Sequence, residues 1–76
     1  MNKPRRKELQ EIYDLISEAR ERLEMVKDEE EEYKDNMPEN LQSSERYTRA
    51  EEIVDNLSEA LDNLDTVLEY VEDATQ

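Results

Sequence analysis

The stretch Tyr47-Thr48-Arg49-Ala50-Glu51-Glu52-Ile53-Val54-Asp55-Asn56-Leu57-Ser58-Glu59-Ala60-Leu61-Asp62-Asn63-Leu64-Asp65-Thr66-Val67-Leu68 decides the fold. Its apolar residues alternate at spacings of three and four: Tyr47, Ala50, Val54, Leu57, Leu61, Leu64, Leu68 and, just beyond, Val71. A helix turns once in about 3.6 residues, so that alternation keeps one stripe on one side. Within it, Asp55–Leu61 and Asp62–Leu68 are near copies seven residues apart, a heptad repeated inside one helix. Read outward toward the N-terminus, a second series begins: Leu9, Ile12, Ile16, Ala19, Leu23, Val26, Glu30, Tyr33 and Met37, broken only by Glu30. Glu30 reads as a wet seam position near a loop, with a register device of the buried-Asn kind as the alternative.

The two series are separated by Asn36-Met37-Pro38-Glu39-Asn40-Leu41-Gln42-Ser43-Ser44. A proline disfavours helix at the residue before it, so Pro38 ends the first helix near Asn36. Ser43 or Ser44 can cap the second helix, with Thr48 and Glu51 as a rival capping box. Pro4 suits a first helical turn, capped by Asn2 or Lys3. The spacing thus predicts one domain, all-α, with helix 1 over about 4–36, a loop over 37–43 and helix 2 over about 44–74. Two helices of about 45–50 Å joined by a short loop predict an antiparallel hairpin, coiled-coil-like in its seam.

The composition alone would suggest disorder. The chain has 76 residues, 23 acids against 10 bases, and a net charge of −13. Its mean hydropathy is −1.20. Low hydropathy with high net charge marks chains that cannot bury enough apolar surface. Two long heptad series argue instead for folded helices with the charge outside. The first 22 residues sum to +1, whereas residues 23–45 and 46–76 each sum to −7. The basic arm Lys3, Arg5, Arg6 and Lys7 should lie beside Glu69, Glu72 and Asp73 in an antiparallel hairpin.

Much chemistry is absent from the residue inventory. Without His or Cys, the commonest general base, the commonest metal ligand and the cysteine nucleophile are all missing. Without Gly, neither a phosphate loop nor an EF-hand can be built. The expectation is a non-enzymatic protein with no cofactor and no metal. No signal-peptide core follows the basic N-terminus and no run of about 18 apolar residues exists, so a cytoplasmic protein without membrane contact is expected. The basic arm is too small against the acid that follows it for direct nucleic-acid binding.

Two surfaces remain as candidates. Ile53, Ala60, Val67 and Ala74 form a further apolar column on helix 2, seven apart, with Tyr13, Leu15 and Met25 as a smaller patch on helix 1. A face that wide can touch two neighbours, and a bare hairpin has little apolar area to offset chain entropy. The expected partner is a second copy, giving a homodimeric four-helix bundle. The other surface is the acidic row Glu52, Asp55, Glu59, Asp62, Glu69 and Asp73, also at three/four spacing with a gap at Thr66. It reads either as a solubilising face or as a DNA-mimicking surface for a basic host protein. A transcription or replication accessory role through the basic arm is a third class. Tyr33 and Tyr47 flank the loop and are expected to pack across it.

The loop phrase Asp28-Glu29-Glu30-Glu31-Glu32-Tyr33-Lys34-Asp35-Asn36-Met37-Pro38-Glu39-Asn40-Leu41-Gln42-Ser43-Ser44-Glu45-Arg46-Tyr47, followed by Ala50-Glu51-Glu52 and the Asp-Asn-Leu repeats, carries a resemblance. It resembles a group of small acidic helical-hairpin proteins from phages and mobile elements of Gram-positive bacteria. The resemblance covers nearly the whole chain from about Arg5. It implies a mobile-element origin and a loop that is more than a spacer, and no particular activity.

Overall fold

Helix α1 runs Lys3–Asp35 and helix α2 runs Glu45–Thr75 in the computed structural model, which describes residues 2–76. Met1, part of the basic N-terminal stretch, lies outside the described residues. The two helices pack against each other as an antiparallel hairpin, and the molecule measures 60 × 15 × 13 Å.

Each helix start is set by a short polar side chain. The Asn2 side-chain oxygen accepts the Arg5 backbone N–H at 2.9 Å, with Pro4 inside the first turn where its missing N–H costs nothing. Ser44 Oγ accepts the Tyr47 N–H at 3.3 Å, which selects Ser44 over the rival start at Thr48. Pro38 turns the chain out of α1, with φ −58° and ψ 149°. A single 3-10 turn, Glu39–Leu41, follows it. Its bonds, Leu41 N–H to Pro38 O (2.9 Å) and Ser44 N–H to Leu41 O (3.0 Å), lead directly into the α2 cap. No described residue has positive φ, so the chain reverses direction without the glycine it lacks.

The core is thin and one-sided. Among the described residues only Ala50, Val54 and Leu61 are buried, all on α2, and they belong to the seam read from the sequence. The rest of that α2 series, Tyr47, Leu57, Leu64, Leu68 and Val71, is partly covered. On α1 the seam differs from the expectation by one column. The covered series is Leu9, Tyr13, Ile16, Arg20, Leu23, Lys27, Glu30, Lys34 and Met37. Ala19 is exposed, Val26 is 52% exposed and Tyr33 50%. The reason is the amphipathic stem of the basic side chains. Arg20, Lys27 and Lys34 lay their methylenes along the groove while their charged ends reach Asp65 and Glu24, Glu31, and Asp35 respectively.

A second expectation also changes. Among the described residues, no ion pair joins the basic arm to Glu69, Glu72 or Asp73; Lys3, Arg5, Arg6 and Lys7 are all exposed. Lying at the same end of the hairpin therefore does not by itself bring them into ion pairs with α2.

Candidate functional site

The shift of the α1 seam gives the hairpin two unlike flanks. One is polar. There Arg20 bridges the helices, its Nε and Nη2 donating to the two carboxylate oxygens of Asp65, the second at 3.2 Å, while Nη1 donates to Glu24. A planar guanidinium on a carboxylate is the strongest form of such a contact. Hydrogen bonding to Asp65 first, and then to Glu24, raises the Arg20 pKa above its ordinary value, so this charge is permanent. Toward the open end the same flank holds a cleft between Gln10, Tyr13, Glu72 and Thr75. Tyr13, grouped with Leu15 on sequence grounds, therefore sits on the polar flank and away from Leu15.

The opposite flank is apolar. By heptad position it carries Ile12, Ala19, Val26 and Tyr33 from α1 and Ile53, Ala60, Val67 and Ala74 from α2, bordered by Leu15 and Tyr70. Ile12, Ile53 and Ala60 are partly covered; Ala19, Ala74 and Leu15 are exposed, Val67 is 42% exposed, and Tyr70, at 73%, is the most exposed large apolar residue. On α2 this flank is free of acid from end to end: Arg46, Arg49, Ile53, Asn56, Ala60, Asn63, Val67, Tyr70, Ala74. On α1 its border adds Arg5 and Arg22 against Glu8 and Glu29. With Glu30 and Glu45 at the loop end, four arginines meet four glutamates, so the flank is net neutral in a chain of net −13.

At the loop end this flank opens into a cavity of about 710 Å³ walled by Tyr33, Asn36, Met37, Pro38, Leu41, Ser44, Glu45 and Arg46. Pro38 and the 3-10 turn hold Leu41 over it. Tyr33 turns into this cavity, and Tyr47 is not among its walls. Glu30 lies largely covered next to it, in a shallow depression shared with Arg46 and Arg49. That environment gives the acidic seam residue two basic neighbours and one acidic one, Glu45.

The acid is gathered on the outer faces. Glu52, Asp55, Glu59, Asp62, Glu69 and Asp73 are all exposed on α2, and at the gap the Thr66 hydroxyl donates to the Asp62 carbonyl at 3.2 Å. A matching row that the sequence reading does not single out lies on α1: Glu11, Asp14, Glu18, Glu21, Asp28, Glu32 and Asp35, all exposed and interrupted only by Met25. Its signal is the same three/four alternation, displaced from the seam. Along each row the carboxylates recur about every 5 Å of helix axis. Among the described residues no group of three acids converges to hold a metal ion, and no helix is long and apolar enough to cross a membrane.

The class defined by this fold and these surfaces is a two-helix hairpin with one polar, ion-bridged flank, one open apolar flank and two acidic outer rows. Compared with protein-family models, with curated proteins and with solved structures, the chain matches none.

Proposed function

We propose that this protein is a non-enzymatic protein–protein interaction module that pairs with itself through its apolar flank into a four-helix bundle and, in that form, binds a host or phage protein. The observation that carries the reading is the acid-free column of α2 alongside Ile12, Ala19, Val26 and Tyr33 of α1. Contiguous apolar surface contributed by two elements and cleared of like charge marks an interaction site. A copy meeting an outer row would set acid against acid, whereas on this flank four arginines offset the four glutamates. Cytoplasmic location and a mobile-element origin, the latter resting on the resemblance of the loop phrase, belong to the same proposal. Light scattering at micromolar concentration tests it. Twice the chain mass of 9.1 kDa is expected, and a stable mass of one chain would overturn the reading.

The paired acidic rows favour a second reading, an acidic DNA mimic that occupies the basic groove of a nucleic-acid-binding or defence protein. Both rows stay outside when the apolar flank is covered, so a dimer would display them. Capture of such a partner should weaken steeply with salt and vanish when Asp55, Glu59 and Asp62 become Lys, with helicity unchanged. Capture indifferent to salt between low and physiological strength would exclude it.

A further inference from the structure

The loop-end cavity and Tyr70 lie on the same flank at opposite ends of the hairpin, Arg46 and Tyr70 being 24 residues or about 36 Å apart along α2. We infer that a second copy docks on this flank with its ends reversed, so that Tyr70 of each chain seats in the cavity beside Tyr33 and Arg46 of the other. The inference rests on the self-association proposed above and adds the orientation and the anchor.

Two observations favour reversal over the arrangement with both loops at one end. The first is shape. A two-fold interface is self-complementary, so whatever fills a hollow on one copy must project from the same face of the other. The flank has a hollow at the loop end and its most exposed aromatic toward the open end. Reversal brings the two together twice; placing the loops together leaves hollow against hollow. An aromatic ring in an apolar pocket with an arginine at the rim is the usual composition of an interface anchor.

The second is charge. At the loop end Glu29, Glu30 and Glu45 lie on or beside this flank, whereas the open end carries the basic arm, with Arg5 in the column of Ile12, and the arm's side chains have no acidic partner within their own chain among the described residues. Two loop ends side by side would double the acidic concentration. Reversal sets the arm of each copy against the acidic loop end of the other. It also brings Arg46 to the C-terminal end of the partner's α2, whose last turn has no basic residue of its own.

The chain has no cysteine, so a single Gln42→Cys substitution at the exposed loop can carry a nitroxide label without interference. In the dimer, reversed ends place the two labels about 45–60 Å apart by pulsed electron resonance, given the helix lengths. Loops at one end would place them within about 10–25 Å, the spacing of adjacent helices, and would overturn the inference while leaving self-association intact. A sample of single-chain mass would overturn both. Tyr70→Ala, at an exposed position that folding does not need, is expected to weaken the dimer roughly tenfold with helicity unchanged. An unchanged dissociation constant would overturn the role of Tyr70 as anchor.

Discussion

The two flanks of the hairpin are built from the same heptads and end in opposite states. On the polar side, Arg20, held also by Glu24 of its own helix, links α1 to Asp65 of α2 and leaves little apolar surface to a partner. On the apolar side, Val26, Tyr33 and Val67 stay about half exposed, and the neighbouring α2 column carries no acid at all. The difference teaches that the charge of this molecule is not spread to keep it soluble everywhere. Acid is withheld from one column of α2, and a column kept clear of acid in so acidic a chain is suited to contact.

The comparison can be broken most severely at its shared base. Leu61 is 6% exposed at the centre of the seam, so Leu61→Glu buries a charge without a partner and should abolish the helical circular-dichroism signal of both flanks together. Retained helicity would mean that the seam is not the core. Next comes Val67→Glu on the apolar flank. It should leave a helical chain and shift sedimentation from two-chain to one-chain mass, because the new carboxylate lands in the acid-free column. A dimer that survives it would remove this flank as the interface. Smaller still is Arg20→Gln on the polar flank. It should lower the melting temperature slightly and leave the mass unchanged, since a single exposed bridge adds little. Loss of the dimer would show that the polar flank matters to pairing after all.

The smallest effect concerns pH. Arg20 is raised above its ordinary value by Asp65 and Glu24, so its contribution is fully present below the unfolded guanidinium pKa, itself far above neutrality, and is lost only as pH rises through the still higher folded value. The difference in melting temperature between wild type and Arg20→Gln should therefore stay constant from about pH 6 to 9. A difference that shrinks within that window would mean that a different group holds Arg20.

Much of this architecture is legible in local chemistry. Asn2, Pro4, Pro38 and Ser44 act on neighbours within three residues, and their effect does not depend on the rest of the fold. The α2 seam is legible too, because Leu57, Leu61, Leu64 and Leu68 leave no rival column of comparable hydrophobicity. The acidic row on α2 can be read for the same reason. Its counterpart on α1 escapes notice because periodicity alone draws the α1 seam one column off.

That column is where sequence reading stops. On α1 the positions Leu9, Ile16 and Leu23 belong to the seam in either solution, and two columns compete to join them. Ile12, Ala19, Val26 and Tyr33 form one; Tyr13, Arg20, Lys27 and Lys34 form the other. By hydrophobicity the first should win. The packed pair takes the second, because α2 places Asp65 on that side and long basic stems can cover an apolar groove while keeping their charge hydrated. Sequence alone determined two capped helices, their loop and the stripe on α2, which follow from short-range geometry. Only the tertiary structure decided how α1 is rotated about its axis, and with it which flank is closed and which is left open, because that rotation depends on where the groups of the other helix lie.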